Sequence, residues 1–472
     1  MNKLLAGMQQ QPTARTANGD GAHATTWNSN LDLFGAIGSL RKDQGRVITL
    51  FDRAFSEDFD LAVRIALWAR DVRGGAGERQ SFRTILRKLA ADKPEIAAKL
   101  IPMVPEVGRW DDLLELIGTP VENEAVTEIA KALHAGNGLC AKWMPRKGLR
   151  ANQLRAAFGL QPKQYRKLLV SMTNVVETAM CAKNWNAIDF GKIPSLAAAR
   201  YQKAFGRNAP TAYAEYTKAL EKGEAKINAS AIFPHDVLMS AEKGNDAVAS
   251  QQWKALPNYM EESGERVLAM VDVSGSMTTS INLGKTPGGV RCMDVSVALG
   301  IYCAERNSGP FKNHFVTFTD RPTLVKVTGS SLKDRARQAK THVGYSTNFD
   351  AAYRMILDTA VRNKVPQEDM PTMLLILSDM QFNSGYSYVH TTTAHQRLTR
   401  LFKEAGYEIP KLVYWNLNAT YGNSPITMHD SGACLVSGFS PSILTAVMRA
   451  KVFDPYNVML EAVKQERYNW NK

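Results

Sequence analysis

The side chains in this chain best placed to do chemistry are oxygen donors. Asp272-Val273-Ser274-Gly275-Ser276 sets one carboxylate and two hydroxyls on alternate positions of a single short segment. Alternate loop residues can face one point, and Gly275 lets the backbone bend between the two serines. A hard divalent cation such as Mg²⁺ prefers such oxygens in near-octahedral geometry and keeps several waters. Two further donors lie downstream: Thr347, within Gly344-Tyr345-Ser346-Thr347-Asn348, and Asp379, within Leu377-Ser378-Asp379-Met380. The alternative is that the serines cap a helix and both aspartates merely terminate strands.

Context separates these readings. Val267-Leu268-Ala269-Met270-Val271 is a short apolar run ending at Asp272, and Met373-Leu374-Leu375-Ile376-Leu377 is a second one leading to Asp379. Both read as strands buried on two faces. From about residue 263 strand-like and helix-like segments alternate: 293–306 helix, 314–318 and 322–327 strands, 331–340 and 348–362 helices, 392–405 helix, 411–416 strand. This order predicts an α/β doubly wound parallel sheet, whose ligands gather at the carboxyl ends of the strands. The three donor loops then share one rim. Two catalytic motifs do not fit. A D-x-D phosphotransferase loop would need an aspartate at 274, and a G-x-S-x-G hydrolase elbow would need glycines two residues either side of its serine, whereas Ser274 is preceded two residues earlier by Asp272.

The first half has a different texture. Leu61, Ile65, Trp68 and Ala69 recur at helical spacing, as do Phe82, Ile85, Leu86 and Leu89. Gly74-Gly75-Ala76-Gly77 separates the two runs. It lacks the G-K-[ST] ending of a phosphate loop and carries Glu78-Arg79 there, so it reads as a helix–helix turn. Further helical stretches run to about 222, predicting an α-helical HEAT-like repeat domain of stacked pairs.

Between Cys140 and Val176 stand eight basic residues and no acid: Lys142, Arg146, Lys147, Arg150, Arg155, Lys163, Arg166 and Lys167. Cations of this density can neutralise phosphates, and the interleaved Trp143, Phe158 and Tyr165 could stack on bases or fill the core. The other reading is a solvated basic helix face. Net charge is +13, divided as +7 over residues 1–264 and +6 over 265–472, so the excess belongs to both halves. The five cysteines are odd in number and lack C-x-x-C spacing, which points to free thiols in a reducing compartment. No run of eighteen apolar residues and no signal-peptide pattern is visible, so a soluble, cytoplasmic protein is expected. Residues 1–30, small and polar, are expected to form a flexible arm.

The donor set Asp272, Ser274, Ser276, Thr347 and Asp379 resembles the metal-ion-dependent adhesion site of von Willebrand factor A domains. There, a D-x-S-x-S loop, a threonine and an aspartate surround the ion, and an open position accepts a partner's oxygen. One position departs: Ser346-Thr347-Asn348 stands where Gly-Thr-Asp is common. The helical half resembles the Ro ribonucleoprotein (TROVE-domain) family. Its segments Trp68 to Arg79 and Gly108-Arg109-Trp110-Asp111-Asp112-Leu113 match R-D-x-R-G-G-x-G-E-R and G-R-W-D-D-L. Lys142-Trp143-Met144-Pro145-Arg146, Lys192-Ile193-Pro194-Ser195 and Lys226-Ile227-Asn228-Ala229 resemble the plant, bacterial and viral branch of that family.

The resemblance implies a non-catalytic RNA-binding protein whose basic helical repeats close into a ring, taking single-stranded ends or a small structured RNA. A Mg²⁺-type site would serve a protein partner that donates a carboxylate. The competing expectations are a von Willebrand A-type protein-binding adaptor and a virion-associated structural protein. Four segments are expected: the arm at 1–30, the helical domain at 31–262, the metal-bearing α/β domain at 263–440 and a C-terminal helical segment at 441–472.

Overall fold

The computed structural model describes residues 11–244, 246–260, 264–280, 289–341, 344, 346–383, 392–419 and 421–471 of the chain. A short hairpin, β1 (Ala14–Arg15) and β2 (Gly21–Ala22), opens it. Helices follow: α1 (Ser29–Ile37), α2 (Gln44–Glu57), α3 (Phe59–Arg70), α4 (Arg79–Asp92), α5 (Pro94–Leu100), α6 (Val104–Val107), α7 (Glu122–His134) and α8 (Gly138–Trp143). The series continues with α9 (Leu149–Ala157), α10 (Pro162–Met172), α11 (Val176–Cys181), α12 (Ser195–Asn208), α13 (Pro210–Lys222), α14 (Pro234–Glu242) and α15 (Asp246–Ala255). The α/β part comprises β3 (Val267–Asp272), α16 (Cys292–Arg306), β4 (His314–Phe318), β5 (Thr323–Lys326), α17 (Leu332–Lys340), α18 (Phe349–Arg362) and β6 (Met373–Ser378). It ends with α19 (Ala394–Glu404), β7 (Lys411–Asn416), β8 (Ala433–Ser437), α20 (Leu444–Arg449) and α21 (Pro455–Val463).

The six-stranded sheet is ordered β5-β4-β3-β6-β7-β8. β4, β3, β6, β7 and β8 run parallel, while β5 lies antiparallel on the edge. Residues 319–322 alone join β4 to β5, too few for the crossover that parallel pairing needs. The expectation of a parallel sheet is thus met by a mixed one. The apolar runs 267–271 and 373–377 are its two central strands.

Alternation along these strands commits each residue to one of two cores. Val267, Ala269, Val271, Leu375 and Leu377 face the first, and Leu268, Met270, Leu374 and Ile376 face the second. The second core is closed by Phe349 and Tyr353 of α18 and by Leu398 and Phe402 of α19. The first runs without interruption into the helical half, through Leu31, Phe51, Trp68, Phe82 and Leu86. The helical and α/β regions therefore share one interior and are not separately cored domains. The C-terminal segment belongs to that interior too: Val458 and Met459 of α21 are buried in it, and Tyr468 donates to Asp71 Oδ2 at 2.9 Å.

The helical class is as expected, but a regular HEAT-like repeat is not established by this packing. Phe190, Ile193, Ala198, Phe205 and Ala209 close a satellite core of their own, and α1 packs on β8 of the sheet as well as on α2 and α3. The helical path breaks between Met172 of α10 and Val176 of α11. Residues 110–116 form a 3₁₀ helix.

The matched motifs of the first half form its polar joint. Gly75 packs so tightly that a Cβ there would lie 1.8 Å from the Trp68 carbonyl, and Gly77 takes φ +70 with Phe233 against it. The turn returns the chain so that Glu78 caps α4 and pairs with Arg41 at 2.7 Å. Asp112, fully buried, is held between Arg70 at 2.7 Å and Arg83 at 2.6 Å. Asp71 receives Arg467 at 2.6 Å.

The arm differs from its expectation. Residues 1–10 lie outside the described residues, but from residue 11 the chain is tied to the α/β part. Thr16 Oγ1 donates to the Phe382 carbonyl at 2.7 Å, and His23 and Ser424 exchange backbone hydrogen bonds at 2.8 Å. Asp20 receives Arg397 at 2.8 Å through both oxygens, while the same guanidinium holds Asp350. Small residues explain the fit: a Cβ at Gly21 would stand 2.5 Å from the Thr392 carbonyl.

Two outcomes follow from this packing. Asp112→Ala leaves Arg70 and Arg83 buried without their shared counter-charge, so urea unfolding should show a loss of about 3–5 kcal/mol; a loss below about 1 kcal/mol contradicts the role given to this pair. The strap should also respond to acid. His23 and His395 are held below the ordinary histidine range by burial, partly offset by Asp430 beside both. Tyr414, Arg397, Asp20 and Asp350 are the other polar groups around them. A lowered folded value means that docking is fully present above pH ~6.5 and is lost as pH falls through the depressed values. Hydrogen-exchange protection factors over 13–26, corrected for intrinsic rate, should drop between about pH 7.5 and pH 5 and be retained in the His23→Phe/His395→Phe double variant.

Candidate metal centre and basic face

β3 and β6 are adjacent and parallel, so Asp272 and Asp379 leave the sheet on the same rim. The serine loop bends back at once: Ser274 N donates to Asp272 Oδ1 at 2.9 Å, and residues 275–278 turn in a 3₁₀ helix. Ser274 Oγ then lies 3.2 Å from Ser276 Oγ and accepts from Thr347 Oγ1 at 3.0 Å. Asp379 takes a hydrogen bond from Ser276. All five side chains identified in the sequence are thereby brought together. Asp272, Ser274, Thr347 and Asp379 are buried, whereas Ser276 is exposed and marks the solvent-facing side.

The Thr347 loop is supported by residues that sequence reasoning missed. Ser346 donates to Asp320 Oδ1 from its backbone at 2.8 Å and also from its hydroxyl. Asn348 Oδ1 caps α18 through Ala351 N at 3.0 Å. Asn383 N donates to the Thr347 carbonyl at 3.0 Å, which ties this loop to the one after β6. Tyr345 lies outside the described residues. Ser378 was missed as well; its hydroxyl donates to Asp272 Oδ2 at 2.6 Å. Its signal was its place beside Asp379 at the end of an apolar strand.

Burial raises Asp272 above the usual carboxylate range, with the nearby Asp379 charge adding to the shift. Asp379 is raised by its own burial. Two desolvated acids facing one point repel each other, and a divalent cation is the counter-charge that would offset this. The donors are carboxylates and hydroxyls only, a hard set suited to Mg²⁺ rather than to a soft-ligand metal. Among the described residues no group of three or more His, Cys, Asp or Glu side chains gathers, so the hydroxyls and waters would have to complete any coordination shell.

The eight basic residues divide into two groups. Lys142 pairs with Glu177 at 2.8 Å, Arg150 with Glu115 at 3.2 Å, and Arg155 Nε donates to Asn152 at 3.2 Å. Arg146, Lys147, Lys163, Arg166 and Lys167 are exposed and form no ion pair among the described residues. On α10 the apolar Tyr165 and Leu169 turn inward while Lys163, Arg166 and Lys167 face solvent. Tyr165 Oη donates to the Pro145 carbonyl at 3.1 Å, which holds Arg146 and Lys147 alongside that helix. The aromatics are structural: Tyr165 is buried, Phe158 packs on it, and Trp143 is covered by Arg109 with 3.7 Å from guanidinium carbon to ring centre. The thiols of Cys140, Cys292, Cys303 and Cys434 are buried and free, and Cys181 is free and exposed. Among the described residues no helix is long and apolar enough to cross a membrane.

Two family models account for the chain. A domain of unknown function (DUF2828) matches residues 16–142 and 124–266, and a second domain of unknown function (DUF7788) matches 266–472. Uncharacterized protein L728 of Acanthamoeba polyphaga mimivirus is 31% identical over 512 residues, spanning 95% of this chain and 87% of that protein. The crystal structure of the Ro (RSR) protein of Deinococcus radiodurans aligns over 85% of this chain and 93% of its own, at 15% identity and a TM-score of 0.46. By the extent of the DUF2828 match and the near-full-length likeness to the mimivirus protein, the chain belongs to the family in which a DUF2828 region is followed by a DUF7788 region.

Proposed function

We propose that this protein binds single-stranded or small structured RNA through the solvent-facing cations of α10 and the loop before α9, and that binding rather than catalysis is its task. The observation that carries this reading is the group of Arg146, Lys147, Lys163, Arg166 and Lys167, exposed and without carboxylate partners among the described residues. Unpaired cations at this density are free to displace counterions from a phosphate backbone, where paired ones are already neutralised. The motif resemblance to Ro-type proteins supports the same reading.

The Asp272, Ser274, Ser276, Thr347 and Asp379 cluster is, in this proposal, a Mg²⁺ site of the von Willebrand A adhesion type. Asp272 and Asp379 would supply charge, directly or through water, and Ser274, Ser276 and Thr347 would supply hydroxyl oxygens. The bound ion would present an electrophilic position to a partner carboxylate. Exposure of Ser276 favours this second activity, because the cluster opens to solvent there.

Each half of the proposal has its own test. Fluorescence anisotropy with a single-stranded RNA should show affinity falling about 50-fold between ~50 and ~200 mM salt for about four phosphate contacts. Lys163→Gln/Arg166→Gln/Lys167→Gln should flatten the log–log slope by about 2. Binding indifferent to salt, or a triple variant that behaves as wild type, overturns the RNA interface. For the metal, Mg²⁺ should raise the melting temperature of the chelated protein by a few degrees, and Asp379→Ala should abolish the shift without altering RNA affinity. Because the carboxylates must release protons to bind the ion, the shift should be larger at about pH 8 than at about pH 6. A Mg²⁺ shift that survives in Asp379→Ala removes the cluster as the site.

A further inference from the structure

A cavity of about 170 Å³ opens where the helical half, the N-terminal strap and the loop after β7 meet. One face of α2 lines it, because Arg46, Thr49, Leu50 and Arg53 recur at helical spacing. Opposite stand Tyr421 and Leu435. Polar residues complete the boundary: Asn416, Asn423 and Ser424, and Asp32, whose oxygens already accept from Thr25 and from the backbone and hydroxyl of Thr26.

Arg46 is the anomaly. Its guanidinium is half-buried, donates to the Ala419 carbonyl and forms no ion pair among the described residues. It lies against residues 421–424 so closely that a Cβ at Gly422 would be 3.4 Å from Nη2. Burial lowers its proton affinity, with Asp43 and Asp32 offsetting this only in part. Arg53, two turns along the same face, is exposed and likewise without an ion pair among the described residues. A desolvated cation satisfied by a single carbonyl is costly unless an anion completes it, and a second guanidinium on the same face adds to the demand for negative charge. On the opposite wall Leu435 is buried and Tyr421 is half-exposed at the mouth.

We propose that this cavity is a binding site for a nucleotide phosphate monoester, gripped by Arg46 and Arg53, with the base against Tyr421. Size decides the orientation. Sites that engulf drug-sized ligands measure about 300–1,000 Å³. A cavity of about 170 Å³ can take the phosphate and sugar and leave the base at the rim. Arginine supplies paired N–H groups matched to phosphate oxygens, and an aromatic ring accepts any base face. The site uses none of the residues of the metal cluster or of the α10 basic face, so it stands or falls apart from them.

Isothermal titration calorimetry with the full-length protein tests it, using AMP, adenosine and inorganic phosphate as probes. AMP should bind, adenosine should bind at least tenfold more weakly, and inorganic phosphate should compete with AMP. Arg46→Gln and Arg53→Gln should each weaken AMP at least tenfold. Arg53 is exposed, so its replacement reads the site even if Arg46→Gln fails to fold. A 5′-phosphorylated tetranucleotide that displaces AMP, where its 5′-hydroxyl counterpart does not, assigns the phosphate to an RNA end; failure of both assigns it to a free nucleotide. No AMP binding at millimolar concentration, or equal affinity for AMP and adenosine, or an unaltered Arg53→Gln variant, overturns the proposal.

Discussion

The apolar side chains of β3 and β6 are divided by strand pleat between two cores, and the placement of everything else rests on that division. Each strand residue is buried, and each fully buried valine or leucine contributes about 1.5–3 kcal/mol relative to exposure. Because the two strands are parallel neighbours in fixed register, Asp272 and Asp379 emerge on one rim. A slip of one residue would exchange the two faces and turn both carboxylates away from the serine loop. The register that fills the cores is therefore the register that assembles the oxygen cluster.

The same division explains why the helical half cannot be treated as a neighbour on a tether. α16 covers the central strands on the first face, and the helical half packs on α16 and on β8, with Phe34, Trp68 and Phe82 continuing the core begun by Val271 and Leu377. Polar contacts, neutral as well as charged, also cross this junction: Ser442 Oγ donates to the Gly75 carbonyl at 3.0 Å, and Lys340 pairs with Glu242 at 2.7 Å. Asp71 binds Arg467 and Tyr468 across the junction of the two sequence halves, and Asp112 is held by two arginines within the first. The RDVRGGAGER and GRWDDL segments are consequently joints before they are binding surfaces. Their glycines allow backbone contact, and their acids neutralise cations that the core has desolvated.

The strap adds a second constraint near the cluster. Ala17 N donates to Gln381 Oε1 at 2.7 Å, and Asn18 Nδ2 donates to the Gln381 carbonyl at 2.6 Å, two residues past Asp379. The start of the chain thus buttresses the loop that carries one acid of the candidate metal centre. It also forms one wall of the cavity beside Arg46. Three features that lie far apart in sequence are mechanically close.

Sequence by itself determined what depends on local pattern. Period-two burial and apolar runs gave the central strands, helical spacing gave α3 and α4, and residue type gave the five oxygen donors and the run of cations between 140 and 176. These are local because a strand end, a helix face or a D-x-S-x-S loop is set within a few residues. Tertiary structure alone decided what depends on partners distant in the chain. It paired Lys142 and Arg150 with Glu177 and Glu115 and left the other six basic residues without a carboxylate partner among the described residues. It turned the arm into a docked strap, because Asp20 meets Arg397 only across 377 positions. It placed β5 antiparallel, fused the two halves into one core, and brought Ser378 and Asp320 behind the donor loops. Pairing and burial are properties of three-dimensional neighbours, and no spacing rule in a single chain encodes which distant charge will arrive.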